Sequence, residues 1–236
     1  MFFGRHFCFS EDICLLILIL KILCGAVLGY GCGIAAREWT KRLLQTRGLE
    51  YSLSTRAEQL LRGAALILGG VIGGVTGSVP AMLCGLLLLT VCLTLSVTDW
   101  LHRVIPNPTA LAVLILGVVF GVPSLLGVRG FPEFHLVRSL IGFAACFVIF
   151  SLPGFFGKNV GAGDIKLAAA MGFFLGIYGA LIAVVIMGVM VLAYTVAQKR
   201  MPVLTFFKSY IPMGPFLAVG MLAAYLAAPV LSAPAI

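Results

Sequence analysis

Two of the three aspartates in the chain lie at the edges of strongly apolar segments. Asp99 closes the apolar segment 81–98, and Asp164 opens the segment that begins at Ile165. A carboxylate at the centre of a bilayer costs about 2.5–3.5 kcal/mol on insertion scales, and less near an interface. Position alone is therefore compatible with two ordinary helix ends, with Asp164 serving as an N-cap.

The residues beside the two aspartates differ in a way that suits acid–base chemistry. Gly161 and Gly163 leave room for another backbone to approach Asp164, and the following helix directs the positive end of its dipole at that carboxylate. Asp99 lies near a helix C-terminus, and the prolines of segment 106–108 prevent that helix from continuing. Brought together, the two carboxylates would share one proton. Such a pair supplies a general base for water and a general acid for a peptide.

The composition of the chain places the helices that carry these aspartates in a membrane. Hydrophobic residues make up 61% of the 236 residues and charged residues 10%, whereas soluble domains carry about 25% charged residues. Eight apolar segments are separated by Gly, Pro or charged residues. They are 13–36, 63–79, 81–98, 109–127, 137–153, 165–180, 181–197 and 211–230. We expect an all-α polytopic bundle of about eight transmembrane helices, or six to eight depending on tight turns near 77–80 and 176–179.

The net charge of +8 follows the predicted topology rather than indicating a nucleic-acid partner. With eight helices and the N-terminus outside, twelve Lys and Arg residues fall on one face and three on the other. Cations are enriched on the cytoplasmic side of membrane proteins, so the richer face is cytoplasmic, and both Asp99 and Asp164 lie on it. The basic loop 37–62 on this face holds six cations and three glutamates. We expect it to form a surface helix on anionic lipid.

Three segments resemble motifs of the type IV prepilin peptidases, which are GxGD intramembrane aspartyl proteases. Residues 161–164, Gly-Ala-Gly-Asp, resemble the GxGD signature. Residues 98–107, in which Asp99 precedes a proline-containing break, are similar to the first-aspartate motif. Residues 211–218 resemble the Pro-Phe-Gly-Pro-Phe segment of the last helix, with Met213 in place of Phe. A lone GxGD is weak, but three motifs in order are specific. The resemblance covers about residues 85–228.

The resemblance implies an aspartic endopeptidase of the bacterial plasma membrane that removes the short basic leader of prepilins and pseudopilins at the cytoplasmic face. Asp99 and Asp164 carry over as its catalytic pair. The positions that carry over as substrate-binding residues are Gly161, Gly163, Lys166, Pro106, Pro212, Gly214 and Pro215. Residues 1–80 would form an N-terminal membrane segment with the basic loop, and residues 81–236 the peptidase domain. The expected partners are prepilin or pseudopilin helices and membrane lipid, with no nucleic acid.

The resemblance does not extend to the cytoplasmic domain of many bacterial members. That domain carries two CxxC pairs, and those members also methylate the new N-terminus. Here the seven cysteines include no CxxC pair, and the short loop 37–62 contains no cysteine. We therefore expect no zinc and no cofactor for proteolysis. S-adenosylmethionine would be required only if a methyltransferase activity were retained.

Other functions make different demands on the sequence. A proton- or cation-coupled transporter that uses Asp99 and Asp164 predicts acids near mid-membrane and repeated halves, whereas both acids lie at one face and no repeat is evident. A Mg²⁺ site for phosphoryl chemistry predicts further acids nearby, yet the other acids of this face are distant in sequence. A non-catalytic assembly factor would not explain the paired motifs.

Two further residues are candidates for tuning the aspartates. His102 follows Asp99 by three positions and would suit a proton relay, although a histidine at a membrane boundary is more often simply solvated. Lys166 follows Asp164 by two positions and would favour its ionised form. A lysine there equally satisfies the cytoplasmic enrichment of cations.

Overall fold

The computed structural model describes residues 5–155, 161–197 and 213–231. Within these ranges all regular structure is helical. The helices are α1 Arg5–Gln45, α2 Thr55–Val75, α3 Val79–His102, α4 Asn107–Leu125, α5 Leu136–Phe155, α6 Ala162–Ala197 and α7 Gly214–Leu231. Six of these helices are long and apolar enough to cross a membrane, and α7 is a shorter apolar helix. The predicted polytopic membrane bundle is confirmed.

The helix α6 reverses direction at Gly176. This residue has φ 68° and ψ 177°, a backbone conformation that is essentially restricted to glycine. The first turn of α6 holds Asp164 near Asp99 and hence near the start of α7, because Gly214 bonds Asp99. Later contacts of α6 first reach the C-terminal half of α7 and then step back toward its start, which shows the reversal. These contacts join Phe174 to Tyr225, Ala183 to Gly220 and Tyr194 to Phe216. A straight helix of 36 residues would be about 54 Å long and could not return in this way.

With the two parts of α6 counted separately, the described residues form eight helical segments, which lies within the predicted range of six to eight. The two tight turns expected from sequence are both present. One separates α2 from α3, where Ser78 caps α3 by accepting a hydrogen bond from the N–H of Ala81 at 3.3 Å. The other is the single residue Gly176. Each turn follows from local chemistry: a hydroxyl cap before a proline, and a glycine that tolerates positive φ.

The basic loop 37–62 differs from the predicted surface helix. The helices α1 and α2 both continue beyond their apolar segments, and only residues 46–54 connect them. Arg37 of α1 donates to Glu58 of α2 at 2.9 Å, and Arg62 donates to the same carboxylate at 3.4 Å. The pair of Arg37 with Glu58 holds the two extensions side by side, whereas the pair of Arg62 with Glu58 lies within α2. The prediction of a separate surface helix is therefore wrong.

The helix α3 lies at the centre of the bundle and defines its two ends. It contacts α1, α2, α4 and α7. Asp99 lies in its last turn, whereas near its start the Tyr225 hydroxyl donates to the Ala81 carbonyl at 2.6 Å. We call the end that holds Asp99 the aspartate end. The end that holds Ala81 and Gly176 is the far end.

Candidate active site

Asp99 is a buried carboxylate, 5% exposed, in the last turn of α3. The helix stops because Arg103 adopts a left-handed conformation (φ 54°, ψ 38°), from which its N–H donates to the Asp99 carbonyl at 2.8 Å. Oδ2 of Asp99 accepts a hydrogen bond from the backbone N–H of Gly214 at 2.7 Å. Gly214 is the first residue of α7, where N–H groups lack partners within the helix. The start of α7 therefore offsets part of the cost of burying this carboxylate.

Asp164 lies half-buried in the first turn of α6. Because the helix starts at Ala162, Asp164 is its third residue and not the N-cap. A negative charge in a first turn is stabilised by the helix dipole. A Cβ at Gly161 would lie 2.7 Å from Oδ2 of Asp164. Glycine at this position thus leaves space for the carboxylate beside the start of the helix.

The segment between α3 and α4 packs directly against the start of α6. A Cβ at Gly163 would lie 2.9 Å from Cβ of Ile105 and 3.0 Å from its carbonyl oxygen. Pro106 is buried and precedes α4, and its carbonyl accepts a hydrogen bond from the Thr109 hydroxyl at 2.7 Å. Gly163 therefore permits the close approach of Ile105. The sequence predicted such an approach of another backbone segment but did not identify the segment.

These contacts bring the two aspartates together at one end of the bundle. The negative charge of Asp99 acts on the Asp164 carboxylate, so the two side chains lie within range of mutual repulsion. Arg103 places a positive charge near Asp99. Two carboxylates that repel each other favour a state in which only one of them is ionised.

Lys166 and His102 have partners other than the aspartates. Nζ of Lys166 donates to Oδ1 of Asn107 at 3.4 Å, which links α6 to the start of α4. Nε2 of His102 donates to the carbonyl of Glu50 at 2.8 Å, which links α3 to the 46–54 connection. Both side chains thus join structural elements at the aspartate end.

The start of α7 contributes its backbone to the site. A Cβ at Gly214 would lie 2.7 Å from Cβ of Asp99 and 2.9 Å from its Cγ. Pro215 follows within the first turn of α7, where proline fits because no N–H partner is needed. Pro212, the other predicted proline of this motif, lies outside the described residues. Sequence reasoning named Gly214 only as a motif position, since no side chain signals its bond to Asp99.

The segment that carries both aspartates matches a known protein family. Residues 86–196 match the model of the type IV leader peptidase family. This match supports assignment of the chain to the family. The match runs from α3 to the end of α6 and includes Asp99 and Asp164. Comparisons with curated proteins and with solved structures gave no match.

The family match indicates a peptidase, and the apolar helices indicate that it is embedded in a membrane. In this leader peptidase the described residues contain no group of three His, Cys, Asp or Glu side chains that could hold a metal ion. The expectation that proteolysis needs neither zinc nor another cofactor stays a prediction.

Proposed function

We propose that this leader peptidase is an aspartic endopeptidase with Asp99 and Asp164 as its catalytic pair. The observation that carries the proposal is the convergence of the two carboxylates at one end of the bundle. Asp99 is fixed by the Gly214 N–H, and its charge acts on Asp164 in the first turn of α6. The ionised carboxylate would accept a proton from the attacking water. The protonated partner would polarise the peptide carbonyl and then supply a proton to the leaving amine.

The substrate class that suits this site is a prepilin or pseudopilin precursor cut immediately before its apolar helix. Both aspartates lie at the boundary of an apolar bundle, in the last turn of α3 and the first turn of α6. An apolar substrate helix could therefore stay in lipid while the peptide that precedes it reaches the two carboxylates. The basic leader would lie outside the hydrocarbon, where its charges remain hydrated.

The cation distribution supports a cytoplasmic site, and the family resemblance implies that the membrane is the bacterial plasma membrane. Eight cations of the described residues lie at the aspartate end: Arg37, Lys41, Arg42, Arg47, Arg56, Arg62, Arg103 and Lys166. The far end carries Lys21, Arg129 and Arg138. Enrichment of Lys and Arg marks the cytoplasmic side of a multi-pass protein.

The proposal is tested with purified enzyme and a prepilin in lipid vesicles, with leader loss read by mass spectrometry. Asp99→Asn and Asp164→Asn should each abolish cleavage, because asparagine keeps the shape of the side chain but supplies neither acid nor base. Asp12→Asn is the matched control, since Asp12 lies outside the family match. It should cleave at the wild-type rate. Substantial cleavage by either of the first two variants, at equal protein levels, would overturn the two-aspartate mechanism.

A further inference from the structure

A cavity of about 290 Å³ lies at the far end of the bundle, opposite the aspartates. Five aromatic side chains line it, and one of its lining residues is charged. The aromatic residues are Phe120, Phe131, Phe134, Phe174 and Tyr225, and the charged residue is Glu133. The deep wall is apolar, with Cys84 and Leu116 buried, whereas Glu133 is exposed at the opening.

The aromatic walls of the cavity are held by specific contacts. Phe174 and Tyr225 stack with their ring centroids 5.8 Å apart, and Tyr225 is further fixed by its hydrogen bond to the Ala81 carbonyl. On the other side, the centroids of Phe120 and Phe131 are 6.2 Å apart. These pairs come from four different parts of the chain, so the cavity belongs to the folded bundle as a whole.

The opening of the cavity is also organised. The connection between α4 and α5 is held over the start of α3, where the Ser78 hydroxyl donates to the Gly130 carbonyl. The Phe134 ring lies on the backbone of Gly121, with ring atoms 2.6 Å from where a Cβ would be. These contacts position Glu133, which lies beside Phe134 in sequence, at the edge of the aromatic surface.

The chemistry of this lining favours a cation with an apolar body. Aromatic ring faces carry partial negative charge and attract ammonium groups, most strongly where water is excluded. The Glu133 carboxylate adds a full negative charge at the opening. Nζ of Lys21 donates to the Gly77 carbonyl at the rim at 3.4 Å. Because like charges repel, we assign the charge of a bound cation to the Glu133 part of the opening and not to this part of the rim. We propose that the cavity binds an organic ammonium cation, with its apolar part against the aromatic walls and its charge toward Glu133.

The binding test uses a benzophenone that carries a trimethylammonium group as a photocrosslinker, with the full-length enzyme in uncharged maltoside micelles. We expect adducts on peptides that contain Phe131, Phe134 or Tyr225. Excess benzyltrimethylammonium should suppress these adducts, whereas neopentylbenzene, its neutral carbon isostere, should suppress them at least fivefold less. Equal suppression by both compounds would show a merely apolar or lipid-filled cavity and would overturn the proposal. Adducts confined to other peptides would overturn it as well.

Two variants sharpen the test. Glu133→Gln should weaken competition by the cation about two- to fivefold, as expected for an exposed charge, and leave the neutral isostere unaffected. Phe131→Leu keeps an apolar wall but removes the aromatic ring. It should reduce the preference for benzyltrimethylammonium over neopentylbenzene. Retained leader cleavage by both variants shows that they are folded. If neither variant changes the preference, the assignment to Glu133 and the aromatic walls is wrong. Added phosphatidylcholine distinguishes the natural source of the cation. If it suppresses the adducts, the ligand is a lipid headgroup; if it does not, the ligand is a free cation.

Discussion

The backbone N–H of Gly214 donates a hydrogen bond to Oδ2 of Asp99 at 2.7 Å and joins residues 115 positions apart in sequence. This bond connects α7, which lies beyond the family match at residues 86–196, to the aspartate that closes α3. The start of a helix combines free N–H groups with the positive end of the dipole, which suits a buried carboxylate. The proposed catalytic site therefore includes the start of α7.

The first prediction is that Gly214→Ala impairs cleavage without preventing folding. The new Cβ would lie 2.7 Å from Cβ of Asp99, so the two backbones must move apart. Because a displacement of about 1 Å in an active site can cost about 100-fold in rate, we expect a loss of that order. The measurement is leader cleavage at matched enzyme concentration. Gly188→Ala in α6 is the control, since its Cβ would meet nothing within 4 Å. A normal rate for Gly214→Ala would show that this contact is dispensable.

The sequence predicts the elements of this fold better than the contacts of its site. Apolar segments bounded by Gly and Pro mark the crossings, and the turn at Gly176 follows from the length of the run that contains it. The partners of Lys166, His102 and Gly214 were not predictable, because each depends on segments far apart in sequence. The surface helix expected in loop 37–62 was wrong for a related reason. Charge count alone does not reveal that Arg37 pairs with Glu58 across two helices.

The second prediction is that Gly176→Ala destabilises the bundle. The φ of 68° with ψ of 177° places Gly176 in a region that is essentially closed to residues with a Cβ, at a cost of about 1–3 kcal/mol. Thermal unfolding in detergent should therefore begin at a lower temperature than for the wild type, while Gly188→Ala should unfold normally. Equal unfolding temperatures for both variants would mean that α6 can reverse without a glycine.

The third prediction concerns the orientation of the two ends. In a cysteine-free background, Asn107→Cys at the aspartate end should react with an impermeant maleimide applied from the cytoplasmic side. Val128→Cys at the far end should react from the outside. Val128 lies in the same connection as Gly130, but Gly130 has a φ of 89° and would be strained by a cysteine. The reverse labelling pattern would contradict the orientation inferred from the distribution of cations.

The last prediction is that this enzyme cleaves without methylating its product. Methyl transfer requires a site for S-adenosylmethionine that also holds the freed amine close to the methyl group. Only residues 46–54 separate α1 from α2, and the flanking extensions are joined by the ion pair of Arg37 with Glu58. A connection of this size is far below the roughly 40 residues under which a domain needs a metal, disulfide or partner to fold.

Most residues of loop 37–62 belong to α1 and α2, so fewer residues remain for a cofactor-binding domain than the length of the loop suggested. It also contains neither cysteine nor histidine, so a zinc site cannot supply the missing folding energy. We expect purified enzyme, incubated with a prepilin and S-adenosylmethionine, to yield a product with a free N-terminal amine. A parallel incubation without S-adenosylmethionine gives the reference mass. A product heavier by one methyl group at its new N-terminus, seen only with S-adenosylmethionine, would show that the methyltransferase site lies elsewhere in this chain.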